Sequence, residues 1–173
     1  MTRPPLHQYA LIAALLAAYL AVLWFVMTTA PALTEQSPRL LIQPILALFA
    51  LTAFVWLLMF VYRNLAVARG VASIGYYRAY ADNAPPEWVE RPARTFMNLL
   101  EVPILFYVVC TLMLQTGTWD GTQVALAWFF VALRALHAAV YIGLNFVPLR
   151  LVTYLMGCIT LGVIWWRFAA AYV

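Results

Sequence analysis

The chain has 173 residues, of which 66% are hydrophobic and 9% charged, with a net charge of +4. Soluble domains carry roughly 45–50% apolar and about 25% charged residues, so a chain of this composition cannot cover a water-facing surface and needs lipid as its solvent. Its apolar runs are long and unbroken, which excludes the roughly ten-residue alternating strands of a membrane barrel and leaves helices as the way to satisfy backbone groups in a bilayer.

The expected fold class is therefore all-α, a polytopic transmembrane helix bundle of the size of one modest domain. Residues 10–30 form the first span, 21 residues without a charge. A cleavable signal has a shorter apolar core, usually ~7–15 residues, so this span is expected to be a retained helix. A loop with Pro31, Glu35, Pro38 and Arg39 follows, then a second uncharged span over 40–62. The sizeable polar stretch is 63–92, with Arg63, Arg69, Arg78, Asp82, Glu87, Glu90 and Arg91 around the breakers Pro85 and Pro86. The third span is expected from near Pro92 to near Gly117, the fourth over 121–146, and the fifth from near Leu149 to the C-terminus, with Arg167 close to its end. Cys110 and Cys158 both fall inside apolar runs and read as small buried hydrophobes rather than a disulfide or metal pair.

Every basic residue is arginine. With five crossings, Arg3, Arg63, Arg69, Arg78, Arg91, Arg94 and Arg150 share one side, against Arg39 and Arg167 on the other. That bias places the N-terminus and the 63–92 stretch in the cytoplasm. The arginine content and compact loops suggest a bacterial inner membrane. The arginines are scattered through loops rather than gathered on a face, which argues against nucleic acid as a partner. Trp165, Trp166 and Tyr172 fit an aromatic belt at the far face, and Trp88 one at the near face.

An ionisable side chain at depth costs at least ~2.5–3.5 kcal/mol on insertion scales, so it needs a partner or a task. Arg94, Asn98 and Glu101 follow one another at i, i+4, i+7, and Arg134, His137, Tyr141 and Asn145 at i, i+3, i+7, i+11; each set lies on one helical face. Arg150 and Tyr154 add a pair four apart. From the assigned topology Glu101 lies ~13 Å and Arg134 ~18 Å from the cytoplasmic ends of their spans. These residues, with Arg63, are expected to converge on one polar pocket in the cytoplasmic half of the bundle. Patterning leaves an alternative open: a structural Glu101–Arg134 ion pair, with Asn98, His137 and Tyr141 as interhelical hydrogen-bond glue. His137 has no carboxylate three or four residues away, which favours a hydrogen-bonding core histidine over a catalytic base.

The stretch Glu90-Arg91-Pro92-Ala93-Arg94-Thr95-Phe96-Met97-Asn98-Leu99-Leu100-Glu101 resembles the E-R-x-x-R-x-x-x-N-x-x-E signature of the MAPEG family, the membrane-associated proteins in eicosanoid and glutathione metabolism. Arg134-x-x-His137-x-x-x-Tyr141, followed by Arg150 and Tyr154, is similar to that family's next signature, closest in spacing to its microsomal glutathione transferases and prostaglandin E synthases. The likeness covers roughly residues 60–172. It implies a MAPEG-like four-helix domain at 40–173, preceded by an extra transmembrane helix and loop at 1–39. It further implies a homotrimer that binds glutathione as cofactor between subunits and joins it to, or reduces with it, an apolar small-molecule substrate. Carried over by residue, Arg63, Arg94, Asn98, Glu101, Arg134 and His137 would bind glutathione, and Arg150, Tyr141 and Tyr154 would act in catalysis. Phe96 stands where the family often has His, and Met97 and Leu151 stand where the prostaglandin synthase has Arg and Ser. Those departures speak for a transferase or peroxidase rather than a prostaglandin isomerase. The extra helix and Met97 also frame an alternative: a non-enzymatic accessory or structural subunit of a membrane complex.

Overall fold

The computed structural model describes residues 6–29, 37–80 and 84–172, and helices make up nearly all of them. The long helices are α1 (Leu6–Thr29), α2 (Arg39–Ala68), α4 (Glu87–Thr116), α5 (Gly121–Ala139) and α6 (Val147–Tyr172); α3 (Ile74–Ala79) is a short helix between α2 and α4. A π-helical turn, Val140–Leu144, continues α5. Five helices are long and apolar enough to cross a membrane. The chain is a multi-pass membrane protein, as its composition requires. The loop residues 31–36, together with Arg3 and Asp82, lie outside the described residues.

The helix ends differ from the expected ones for a reason of length. α2 and α4 each have 30 residues, about 45 Å of helix against ~30 Å of hydrocarbon, so both stand out of the bilayer. α2 continues past Tyr62 to Ala68, and α4 begins at Glu87 rather than near Pro92. Glu87 and Glu90 occupy α4's first turn, where the positive end of the helix favours carboxylates. What remains of the polar stretch holds α3, whose first turn is capped by Ser73 Oγ accepting from the Tyr76 backbone N–H at 3.0 Å.

The core is a contact of four helices. Leu41, Leu48 and Val55, seven residues apart on α2, pack with Phe106, Val109, Cys110 and Met113 of α4, Leu126, Ala127 and Phe130 of α5, and Leu161, Ile164 and Phe168 of α6. Phe106 and Phe130 stack at 4.8 Å between ring centroids. α5 is the most buried span and α1 the least. α4 ends at Gly117, whose φ of +69° is a left-handed conformation that a side chain would strain. The turn that follows is tied to the far end of α6 by Arg167 Nη2 donating to Asp120 Oδ2 at 2.7 Å. Both cysteines are free thiols.

α1 lies against α5 and α6 through one stripe. Leu15, Tyr19 and Leu23 meet Phe129 and Leu133 of α5 and Val152 and Met156 of α6. Tyr19 is the buried residue of that stripe. Its ring stacks on Phe129 at 5.7 Å, and its hydroxyl lies 3.2 Å from Thr160 Oγ1. Thr160 donates to the Met156 carbonyl, so Tyr19 is the donor of that bond. The rest of α1, including Leu20, Trp24 and Phe25, faces outward.

Candidate functional site

Where α4 begins, α5 ends and α6 begins, the bundle opens into a concavity of about 290 Å³. Asn98 lines it from α4, His137 and Tyr141 from α5 and its π turn, and Val147, Arg150, Leu151 and Tyr154 from α6. Arg150 is fixed there on two sides. Its guanidinium lies over the Tyr141 ring, 3.4 Å from the centroid, a cation–π contact worth ~0.5–2 kcal/mol depending on its exposure. Its Nη1 donates to Asn145 Oδ1 at 2.7 Å. Its Nε is buried with no partner among the described residues.

The holder of Arg150 is itself held. Asn145 follows the π turn at φ 48°, a left-handed conformation that Asn tolerates better than most residues. Its side-chain amide donates to the Glu87 carboxylate. Glu87 pairs with Arg91 at 3.4 Å, and Arg91 Nη1 donates to the Gly143 carbonyl at 3.2 Å. Carbonyls at a helix end have no partner within the helix, and Arg91 serves one of them. The first turn of α4 therefore clamps the end of α5 and, through Asn145, aims Arg150. Sequence reasoning placed Asn145 on a polar face but missed Glu87 and Arg91 as supports; their i, i+4 spacing was the available signal.

His137 is buried. Its Nδ1 lies 3.1 Å from the Arg150 carbonyl oxygen and 3.2 Å from Thr153 Oγ1. A carbonyl only accepts, so Nδ1 carries the proton, and in the neutral ring Nε2 is left as an acceptor with no partner among the described residues. The Tyr141 and Tyr154 rings meet it edge-on, with centroids at 5.9 and 5.6 Å.

The other expected site residues do not line this concavity. Arg134 is 1% exposed and turns from α5 into α6, where Nη2 donates to the Tyr154 carbonyl at 2.8 Å and the guanidinium lies 5.1 Å from the Tyr154 ring centroid. Gly157 makes room for it: a Cβ there would overlap the guanidinium. The Glu101–Arg134 ion pair does not form. Glu101 is exposed on the outward face of α4 and makes no ion pair among the described residues.

Arg63 and Arg94 line a second concavity, of about 390 Å³, with Met59, Tyr80, Glu90 and Met97. There Arg63 pairs with Glu90 at 3.6 Å and covers the Tyr77 ring at 5.2 Å. Burial, and then the Glu90 charge, push the Tyr77 phenol above its usual range, while Arg63 pulls it down. The phenol stays a proton donor at neutral pH.

A sequence model of the MAPEG family matches residues 42–170. The chain belongs to the MAPEG family. No curated protein and no solved structure matches it. The MAPEG span runs from within α2 nearly to the end of α6, takes in every residue lining both concavities, and leaves α1 outside. Membership places the chain in membrane-bound glutathione or eicosanoid metabolism at the level of that family. Within the MAPEG unit, the first turn of α4 meets the α5–α6 junction at the clamp: Glu87 and Arg91 on one side, Tyr141, Asn145 and Arg150 on the other.

Proposed function

We propose that this MAPEG protein is a glutathione transferase or peroxidase acting on apolar electrophiles at the membrane surface. The observation that carries the reading is Arg150: a guanidinium set over the Tyr141 ring, held by Asn145, and lining an open concavity. The residues fit glutathione. Arg150 offers a directed positive charge, Asn98 and the Tyr141 and Tyr154 hydroxyls offer hydrogen bonds, and His137 Nε2 offers an unpartnered acceptor. Val147 and Leu151, 64% and 57% exposed, give the same concavity an apolar side.

Glutathione, when bound, supplies a thiol whose ionised form attacks an electrophilic carbon or a peroxide O–O bond. Arg150 holds negative charge at the sulfur position, where a neighbouring guanidinium favours the ionised form. Tyr154 and Tyr141 donate hydrogen bonds to the oxygen or leaving group of the second substrate. Arg134 enters as a positioning residue, because it grips the α6 carbonyls at Thr153 and Tyr154. Leu151 and Val147 admit an apolar substrate from the lipid side.

The remaining candidates belong to the neighbouring copy in a homotrimer. Arg94, Met97, Glu101, Ile104, Val108, Thr111 and Gln115 are all exposed on α4 and succeed one another at alternating steps of three and four. That spacing is the seam of a left-handed helix–helix packing, and charges within it are costly against lipid. Packing copies along α4 brings Arg63, Arg94 and Glu101 of one subunit toward the Arg150 concavity of the next. Arginines there suit carboxylates, and Glu101 suits the α-ammonium of the tripeptide.

The test is thermal unfolding of the detergent-purified protein with and without millimolar glutathione. At 100 times its dissociation constant a ligand adds about 2.7 kcal/mol to the native state, and Arg150→Ala should lose that gain. A second reading, an accessory subunit of a membrane complex, is favoured by α1, which lies outside the family span and turns Leu20, Trp24 and Phe25 outward. Absence of any glutathione shift, with a partner co-purifying, would select it.

A further inference from the structure

At the end of the bundle opposite the Arg150 concavity, the α4–α5 turn and the end of α6 enclose a cavity of about 170 Å³, lined by Thr118, Trp119, Asp120, Gln123, Arg167 and Ala171. Gln123 is 3% exposed. Its Nε2 donates to the Ile164 carbonyl at 3.4 Å. That bond fixes the amide, since the flipped form would set two carbonyl oxygens against each other. Gln123 Oε1 is therefore a buried acceptor with no donor among the described residues. Across the cavity Arg167 uses Nη2 on Asp120 Oδ2, and its Nε is a buried donor with no acceptor among the described residues. Asp120 Oδ1 takes the Gln123 backbone N–H at 2.9 Å, and the side chain is 55% exposed, leaving lone pairs for a further donor.

One orphan acceptor beside a carboxylate, and one orphan donor on a guanidinium, call for a ligand with N–H donors at one end and an anion at the other. We propose that this cavity binds a phosphoethanolamine group, the headgroup of an aminophospholipid. The primary ammonium has three donors and no acceptor and serves Gln123 Oε1 and Asp120. The phosphate accepts a charge-assisted bond from Arg167 Nε. Position supports the lipid as the source. Trp166 and Tyr172, each 65% exposed on α6, flank this end, and exposed aromatics of this kind sit at the headgroup level. The cavity is below the usual ~300–1,000 Å³ of a small-molecule site, so it suits a headgroup whose chains stay in the bilayer. A quaternary choline has no N–H and leaves Gln123 unpaired. An anionic headgroup without an amine meets the Asp120 charge.

Native mass spectrometry of the detergent-purified full chain, with phosphatidylethanolamine, phosphatidylcholine and phosphatidylglycerol of matched chains, tests this. Phosphatidylethanolamine should be retained roughly tenfold over phosphatidylcholine, as one charge-assisted bond predicts. Gln123→Leu should abolish that preference. Arg167→Lys, which keeps the charge but loses Nε, should lower retention of phosphatidylethanolamine and phosphatidylcholine alike, since both carry the phosphate, and serves if Gln123→Leu does not fold. Free phosphoethanolamine separates the sources: a thermal shift equal to the lipid's makes the ligand a soluble group, and a shift with the lipid alone makes it membrane-borne; either supports the site. Equal retention of the three lipids, or a preference untouched by Gln123→Leu together with a retention untouched by Arg167→Lys, overturns it. Glutathione binding plays no part in these readouts, so this proposal and the enzyme reading fail separately.

Discussion

Arg134 and Arg150 stand on adjacent helices, and both belong to the polar set that the sequence aims at one pocket, yet the fold uses them in opposite ways. Arg134 is closed in: 1% exposed, bonded to α6 carbonyls, seated on the face of Tyr154 and fitted over Gly157. Arg150 is supported from behind by Tyr141 and Asn145 and keeps an edge toward an open concavity. Arg134 commits only Nη2 to the α6 backbone, and its Nε and Nη1 are buried without a partner among the described residues. A buried arginine enclosed in this way fixes the packing of two helices. One held by a single amide and an aromatic face has donor capacity left for a ligand. The difference lies in what surrounds each guanidinium rather than in its depth.

The largest effect that separates them is ligand-dependent. Arg150→Ala should erase the glutathione-induced stabilisation, about 2.7 kcal/mol at 100 times the dissociation constant, on top of a loss of about 1–2 kcal/mol in the unliganded protein from the Tyr141 contact and the Asn145 bond. A retained shift would break the contrast at its functional end. Gly157→Ala tests the structural end. Its Cβ has no room beside the Arg134 guanidinium, so overpacking should lower stability by about 1–3 kcal/mol in thermal unfolding. Gly162→Ala is the control on the same helix, because a Cβ there meets nothing within 4 Å. Equal effects at the two glycines would mean that the Arg134 slot is not tight.

Asn145 lies between the two cases in size. Asn145→Ala removes the bonds to Arg150 and Glu87 and places a poorer residue at φ 48°, for a combined loss of about 1–2 kcal/mol. The glutathione shift should shrink without vanishing, since Tyr141 still supports the guanidinium. Asn145→Gly keeps the backbone easy and loses only the bonds, so comparing the two variants divides strain from hydrogen bonding.

The five spans were legible because composition and run length decide them. The ends were not: Arg63 and the Glu87–Arg91 stretch read as loop because they are polar, whereas they belong to helices that outrun the hydrocarbon. Spacing grouped Arg134 with Tyr141, but spacing gives the face of a helix and not the direction a long side chain takes from it. Arg134 reaches into α6, and that reach depends on Gly157, a residue with no polar signal of its own. Glu101 and Arg94 were read with Asn98 on one face. In the fold α4 serves two sides, so Asn98 lines the Arg150 concavity, Arg94 lines the second one with Arg63, and Glu101 is exposed and lines neither. The π turn that sets Asn145 in place carries no periodic signature in the sequence.

The smallest expected effect concerns α1, the helix outside the MAPEG span. Its hold on the bundle rests on Tyr19, whose hydroxyl donates to Thr160 and whose ring stacks on Phe129. Tyr19→Phe keeps the ring and removes the hydrogen bond, which in a membrane interior is worth about 0.6 kcal/mol on average. Thermal unfolding should fall by that amount, and the glutathione shift should stay intact, because Tyr19 meets α5 and α6 at Phe129, Leu133 and Met156 rather than at the residues of the Arg150 concavity. Tyr19→Ala, which also forfeits the stack, should cost more and expose α1 to proteolysis. If either variant instead removed the glutathione response, α1 would be coupled to the site through α6, whose Met156 and Thr160 lie on the helix that also carries Arg150 and Tyr154, and the division between a catalytic unit and an added helix would have to be redrawn.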